Sequence, residues 1–501
     1  MKRRKKQVVL EKLRIEDFAA EGRSLARWNG KVVFVERTVP GDVVDVFLFK
    51  NKKDWAEGYP LTFHELSPQR ITPFCPHFGD CGGCQWQMVP YEQQLQFKQK
   101  QVQDALQRIG KIPLPEMLPI LGATEDRYYR NKLEYTFGVY RYIPEAEYKA
   151  PLPPEGGFLE SSEFEDSFKG SESKVPPSGG FREAGAAGFH AKGLFDKIVD
   201  IQQCFLQVEP SNRIREVIRS YAIDNDLSFY DVRHHTGFLR NVQLRICTTG
   251  EVMANVIVNE NDENKIEKLL KHIQQNVREI TTLVYTVNTK KNDSLQGLEP
   301  VTFSGAGYVI EKLGTGRDEF RFKIGPKSFF QTNTRQGERL YQVARDFAEL
   351  TGNEIVYDLY CGTGSIGIFV SKNAKKIIGV EMIEEAISDA KENAALNNLR
   401  DAEFYAGDVI NICNDDFFAS HGKPDVIITD PPRVGMHEKL VKKILEIAAP
   451  VVVYVSCNPA TQGRDLNLLG QKYDVTKIQP VDMFPHTQHI ENVVQLKLRD
   501  E

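Results

Sequence analysis

Between Glu354 and Cys457 the chain alternates short runs of Val, Ile and Tyr with longer mixed stretches. The runs are EIVYDLY, KIIGVEM, AEFYAGD, PDVIITD and PVVVYVSC, and one intervening stretch is IEEAISDAKENAALNNL. Strand–helix alternation of this kind means a parallel sheet covered by helices. The unbroken apolar run Val451–Val455 predicts a strand buried on both faces. This lobe begins near KSFFQTN, Lys327–Asn333, and a helix follows with Leu340, Val343, Ala344, Phe347 and Leu350 on one face. YDVTKIQPVDMF and NVVQLKLRD supply its closing strands. The predicted fold is α/β and Rossmann-like, and in such sheets ligands sit beyond the carboxyl ends of the strands.

That rim carries most of the candidate chemistry. Cys457 follows the strand at Val451–Ser456, and Asn458-Pro459 ends it. A thiol there is a competent nucleophile, although a buried structural cysteine is the ordinary alternative. YDLYCGTGSIG, residues 357–367, reads as strand, glycine turn, helix. Gly362 and Gly364 permit close approach of a cofactor, and Gly367 permits tight helix–strand packing. By itself the turn also suits a nicotinamide dinucleotide. Two features favour S-adenosylmethionine (SAM). Asp358 would repel a pyrophosphate but can hold an ammonium or a water. Glu381 ends the next strand, where a carboxylate can take both ribose hydroxyls. Asp408 ends the third strand, facing the adenine, and Asp430 opens TDPPRVG at the methionine end. Solvated strand-end acids are the alternative for Glu381 and Asp408.

Cys457 selects the reaction. An exocyclic amine has its own lone pair and needs no thiol. Carbon 5 of a pyrimidine has none, and must be activated by a nucleophile at carbon 6. A base must then remove the carbon-5 proton. DMFPHTQHIEN, residues 482–492, offers Glu491 for this, with His486 and His489 nearby. Glu491 as a surface acid before the last strand is the alternative.

The remaining sequence looks like a partner-binding half. The chain has 501 residues and a net charge of −5, but residues 1–53 hold 14 Lys and Arg against 7 Asp and Glu. One basic module on an acidic chain points to nucleic acid, with a solvated tail as the alternative for Lys2–Lys6. Residues 8–66 read as short strands punctuated by Gly22, Asn29-Gly30, Pro40-Gly41 and Gly58, which suggests a five-stranded barrel of the OB type. CPHFGDCGGC places Cys75, Cys81 and Cys84 at C-x5-C-x2-C spacing. Three clustered thiols fit a four-iron cluster better than zinc, which usually takes two close pairs, and unliganded thiols are the third possibility. Residues 91–110 read as a polar helix with a sparse apolar stripe (Leu95, Val102, Ala105, Leu106, Ile109) capped by Gly110. Arg127, Arg130 and Lys132 lie among Tyr128, Tyr129, Tyr135 and Phe137, a composition that binds phosphates and stacks on bases; an amphipathic edge strand is the alternative. Residues 144–187 form an acidic, Pro/Gly/Ser-rich insert. No apolar run reaches the roughly 18 residues of a membrane span, and the basic start lacks the apolar core of a secretory signal. With eight cysteines in so long a chain, a reducing cytoplasm is expected.

Together VSCNPAT, DPPR, FFQTN, DLYCGTGSIG, MFPHTQHIE and CPHFGDCGGC resemble the RNA uracil-C5 methyltransferase family, in its iron–sulfur branch acting on 23S ribosomal RNA. The basic start resembles that branch's TRAM domain, an OB-like RNA-binding module. The resemblance implies a class I SAM-dependent methyltransferase with Cys457 as nucleophile and Glu491 as base. It implies SAM contacts from Gln331, Tyr360, Glu381 and Asp430, and a 4Fe-4S cluster held by Cys75, Cys81, Cys84 and Cys204. Tyr360 stands where relatives often have Phe. The implied domains are 1–66 (TRAM-like barrel), 67–86 with 119–328 (central α+β iron–sulfur and RNA-binding), and 87–118 with 329–501 (methyltransferase). The expected partner is RNA, with no membrane and no obligate protein partner. The same reaction on the T-loop uridine of transfer RNA, and a non-catalytic RNA-binding assembly factor, are the competing readings.

Overall fold

A computed structural model describes residues 8–19, 22–144 and 185–500. Lys2–Lys6 and most of the 144–187 insert lie outside the described residues; the end of the insert opens the strand Ala186–His190.

The first sheet has six strands, in the order Val8–Arg14, Val43–Asn51, Trp55–Glu65, Lys31–Val35, Ser24–Trp28, Asp17–Phe18. Leu10, Leu13, Val33, Val35, Val44 and Val46 share its core. Asn29 and Gly30 take φ of 48° and 78°, the positive pair that a tight hairpin between twisted strands requires. Five strands were expected, and the sixth is only Asp17–Phe18, too short to leave an alternation pattern.

A second sheet runs Val301–Ser304, Thr282–Val287, Val252–Val258, Leu239–Ile246, Lys132–Gly138, Ala186–His190, Ile198–Asp200. Helices Ser211–Asp224 and Glu263–Asn276 bury Ile214, Ile218, Leu269, Leu270 and Ile273 against it. The strand Lys132–Gly138 is therefore interior rather than an edge, and Tyr135 and Phe137 are fully buried. A hairpin of Val309–Leu313 and Phe320–Ile324 links this half to the next.

The last sheet runs Ala402–Ala406, Lys376–Glu381, Ile355–Leu359, Val426–Thr429, Val451–Ser456, Glu491–Leu498, Tyr473–Val481. Its first five strands are mutually parallel, and Glu491–Leu498 is antiparallel to both neighbours. Chain order reverses between Ile355–Leu359 and Val426–Thr429, the switch point where such sheets open a ligand crevice. Along Val451–Ser456, Val453 and Val455 enter the core on one face, while Val452 and Tyr454 enter the core on the other. This is the doubly covered strand that the apolar run predicted.

Helix Tyr91–Ala105 lies on this sheet, with Val102 and Leu106 in its core. It continues as a π-turn over Leu106–Gly110, and Lys111, not Gly110, takes the left-handed conformation at its end. Gly110 packs on the Gly463 backbone, where an added Cβ would make an ordinary contact at 3.5 Å. The helix is polar because two of its polar side chains, Gln94 and Lys98, are fully buried. Among the described residues no helix is long and apolar enough to cross a membrane.

Candidate active site

The glycine turn closes the first strand of the last sheet. Tyr360, Gly362 and Gly364 take φ of 60°, 54° and 74°. A Cβ on Gly362 would meet nothing within 4 Å, so this backbone faces open space. A Cβ on Gly367 would stand 2.9 Å from Asp358 Oδ2, which explains the third glycine. Gly367 N donates to that same oxygen at 2.8 Å. Asp358 Oδ1 is buried without a partner, and desolvation lifts the carboxyl to about 7. An orphaned buried carboxylate oxygen beside an open glycine turn suits a ligand that brings its own cation.

Glu381 ends the neighbouring strand and accepts long bonds from Gly362 N (3.3 Å) and Ile383 N (3.1 Å). Met382 and Ile383 beside it are 65% and 52% exposed, an apolar lip at the turn. Asp408 lies two residues past the third strand, where its Oδ1 caps the helix Val409–Ile412 through Ile410 N at 2.9 Å. Gln331 is buried, and its carbonyl accepts from Asn131 Nδ2 at 2.8 Å. Asn333 caps the helix Thr334–Ala348 and donates to the Met483 carbonyl at 3.0 Å, joining FFQTN to the loop that precedes Glu491.

Cys457 is half-buried at the end of Val451–Ser456. The antiparallel register pairs Val455 with Val493 and ends with Ser456 against Asn492, so Cys457 and Glu491 are the residues that flank its last pair. The loops of DPPR and SCNPAT are tied at one atom. The Arg433 carbonyl accepts from Asn458 Nδ2 at 2.9 Å and Thr461 Oγ1 at 3.2 Å. Asn458 also caps the helix Pro459–Leu469, so the cysteine is fixed from both sides.

A family model described as tRNA (uracil-5-)-methyltransferase matches residues 243–499. A Bacteroides thetaiotaomicron protein described as an uncharacterized RNA methyltransferase is 47% identical over 96% of this chain and 100% of its own length. The chain belongs to this family. A Porphyromonas gingivalis protein of the same description is 44% identical over 97% of this chain and 99% of its own. The solved structure of Pyrococcus abyssi tRNA (uracil-54, C5)-methyltransferase with S-adenosyl-L-homocysteine superposes with a TM-score of 0.69. It is 25% identical and covers 98% of this chain and 100% of that one.

In this RNA uracil-5-methyltransferase the charges around Cys457 are unequal. Burial, then Glu491 and Asp430, push its thiol up to about 11, and the Arg433 guanidinium opposes them. The few per cent of thiolate expected of an ordinary cysteine is therefore not present at rest. Burial holds the carboxyls of both Glu491 and Asp430 above the usual range, and the Asp430 charge adds to the shift at Glu491. Arg433 also approaches His489 Nδ1 at 3.0 Å, and burial followed by Arg433 lowers that imidazole to about 4. His489 is thus neutral at physiological pH. His486 faces the scaffold instead, with Nδ1 at 3.1 Å from Gln94 Nε2 and Nε2 at 3.2 Å from Asp126.

Two residues escaped the sequence reading. Arg433 was in view only as part of DPPR. Lys98 sits on a helix that reads as solvated, yet its Nζ meets Asp482 Oδ1 at 2.6 Å with both side chains fully buried. Lys98 also donates to the Phe484 carbonyl at 3.0 Å. The loop leading to Glu491 is therefore anchored on that helix, with Tyr91 OH adding a 2.8 Å bond to Asp482 Oδ2. A lysine at helical spacing from Gln94 was the available signal.

Cys75, Cys81, Cys84 and Cys204 line a single cavity of about 400 Å³ in the other half of the molecule. None of the eight cysteines is in a disulfide. Gly83 N donates to Cys81 Sγ at 3.4 Å, and desolvation raises all four thiols. Among the described residues no three His, Cys, Asp or Glu side chains are grouped to hold one metal ion. The donor set that the sequence scattered over 130 residues is nevertheless brought to one wall-to-wall space. Lys132, which the sequence groups with Arg127 and Arg130, lines this cavity and is half-buried.

Proposed function

We propose that this methyltransferase forms 5-methyluridine in 23S ribosomal RNA by covalent catalysis from Cys457. The observation that carries the reading is that Cys457 and Glu491 flank the last pair of adjacent strands at the rim of the sheet, with the Glu491 charge felt at the thiol. The Cys457 thiol gives its proton to solvent and its Sγ adds to carbon 6, which leaves carbon 5 an enolate carbon. SAM would supply the methyl group to that carbon and leave as S-adenosylhomocysteine. Glu491 as a carboxylate then removes the carbon-5 proton, the sulfur–carbon bond breaks to restore the pyrimidine double bond, and the released thiolate takes up a proton. Because the thiol rests protonated, the positive charge of Arg433 favours the thiolate as the proton leaves. Burial, then the Asp430 charge, raise the affinity of Glu491 for a proton.

For SAM, we assign Asp358 to the ammonium side, Glu381 to the ribose hydroxyls and Asp408 to the adenine edge. Tyr360, Gln331 and Asp430 line the methionine end. The open Gly362 backbone, the orphaned Asp358 oxygen and the apolar lip at Met382 and Ile383 support this fit. For the cluster, four thiols around one cavity form a suitable donor set for 4Fe-4S, whose ligands bind separate iron atoms. Its proposed role is to tie the cysteine turn to the catalytic loop, since Gln85 N and Trp86 N both donate to the His486 carbonyl, at 2.8 and 3.1 Å.

Transfer RNA is the second reading, favoured by the Pyrococcus abyssi relative, whose name specifies a transfer RNA uridine. The deciding experiment is mass mapping of modified uridines in ribosomal and transfer RNA from a deletion strain. Loss of one 5-methyluridine in 23S RNA supports the proposal. Loss confined to transfer RNA transfers the chemistry to the second substrate.

A further inference from the structure

A second cavity, of about 660 Å³, opens between the segment 123–131 and the start of the helix Thr334–Ala348. Its walls include Arg127, Tyr128, Arg130, Asn131, Thr248 and Arg335. The arginines are held differently. Arg335 is paired with Glu125, and Arg127 stacks on Phe74 at 4.0 Å. Asp126, the other acid of the wall, is engaged by His486. Arg130 is fixed over the rings of Phe484 (5.3 Å) and Tyr129 (6.0 Å), and among the described residues no carboxylate stands within ion-pair distance of it. Its Nε is buried without a partner. The same guanidinium also lines the cysteine cavity, where its charge is felt at Cys84 and Cys204; held in place by rings and not by a carboxylate, and with Nε unpartnered, it is a suitable anion site.

The neighbouring backbone is equally fixed. Tyr128 takes φ of 54°, a conformation that an aromatic residue adopts only when its surroundings impose it. Tyr128 N donates to the Phe205 carbonyl at 2.7 Å, Arg130 N to Leu206 at 2.8 Å, and Asn131 N to Thr332 at 2.7 Å. Tyr128 is 40% exposed despite this rigid seat. The wall is shared with the catalytic loop: Tyr129 OH donates to the Pro485 carbonyl at 3.0 Å, and the Arg130 charge is felt at His489.

We infer that this cavity takes an unpaired nucleotide of the substrate RNA close to the methylated uridine, its phosphate on Arg130 and its base against Tyr128. The inference rests on the RNA uridine reading above. Loss of one single-strand phosphate contact lowers the slope of log affinity against log salt by about 0.7, whereas loss of a stacking ring weakens binding without a charge change.

The test uses the full chain, with unmodified 23S ribosomal RNA transcript as probe. Arg130→Gln is expected to weaken binding roughly tenfold at low salt and to lower the salt slope by about 0.7. Tyr128→Leu, at an exposed ring that no core depends on, is expected to weaken binding roughly tenfold with the slope unmoved. Cross-linking to a 4-thiouridine-substituted transcript is expected to label the peptide Tyr128–Arg130. Unchanged affinity and slope in both variants, or cross-links only elsewhere, would overturn the inference and leave the cavity to a protein segment. Wild-type methylation of the same transcript is scored separately, and its absence would sink the functional reading rather than the cavity.

Discussion

Cys457 and Glu491 flank the last pair, Ser456 with Asn492, of the register between a parallel strand and the antiparallel last strand, and the Glu491 charge is felt at the Cys457 thiol. The two groups therefore lie at adjacent strand ends. Gln462 locks the register: its Nε2 donates to the Tyr454 and Asn492 carbonyls at 3.0 and 3.2 Å, and its Oε1 accepts from Asn492 Nδ2 at 2.7 Å.

Arg433 is the cation that offsets the two carboxylates around the thiol. Arg433→Gln is expected to raise the thiol further, so the midpoint of its pH-dependent alkylation by iodoacetamide moves upward from about 11. Arg433→Lys, which keeps the charge, is expected to shift it less. An unmoved midpoint in both variants would show that the guanidinium does not act on the thiol.

Asp358 ties stability to pH. In the folded protein without ligand its carboxyl holds a proton up to about 7, against 3.8 for an ordinary aspartate. Its stabilising contribution is thus fully present below about pH 4 and is lost as pH rises through about 7. Asp358→Asn is expected to flatten this dependence and to raise the melting temperature at pH 8 by about 2–4 °C per kcal/mol recovered. Thermal melts at pH 5 and pH 8 check it; a parallel loss at both values contradicts it.

The buried Lys98–Asp482 pair holds the loop ahead of Glu491. Lys98→Met leaves Asp482 without its cation in a dry site and is expected to cost about 3–5 kcal/mol. Denaturant unfolding measures it, and a loss below about 1 kcal/mol would mean that Tyr91 alone anchors the loop.

Anaerobically purified protein is expected to be brown with about four irons per chain, from the four-thiol set. Cys84→Ser is expected to bleach it. Colourless protein carrying stoichiometric zinc contradicts the cluster assignment.

The sequence made the last sheet legible because its strands are covered on both faces, and continuous runs such as Val451–Val455 leave no other reading. Gly367 was legible for the same local reason, since its contact with Asp358 lies within one strand–turn–helix unit. Arg433 and Lys98 were not. Each acts on groups distant in sequence, Lys98 on a residue 384 positions away, and pairing across such distances leaves no periodicity to read. The 127–140 segment was half legible. Its arginines and tyrosines were visible, but only the fold separates Tyr128 and Arg130, which line the second cavity, from Tyr135 and Phe137, which fill a core.

The proposed cycle turns on a sulfur–carbon bond that forms at Cys457 and that Glu491 is needed to release. Glu491→Ala, incubated with SAM and unmodified 23S ribosomal RNA transcript, is expected to accumulate a protein–RNA adduct that survives denaturing electrophoresis, and the further change Cys457→Ala is expected to abolish it. Normal 5-methyluridine formation by Cys457→Ala would contradict covalent catalysis at this thiol.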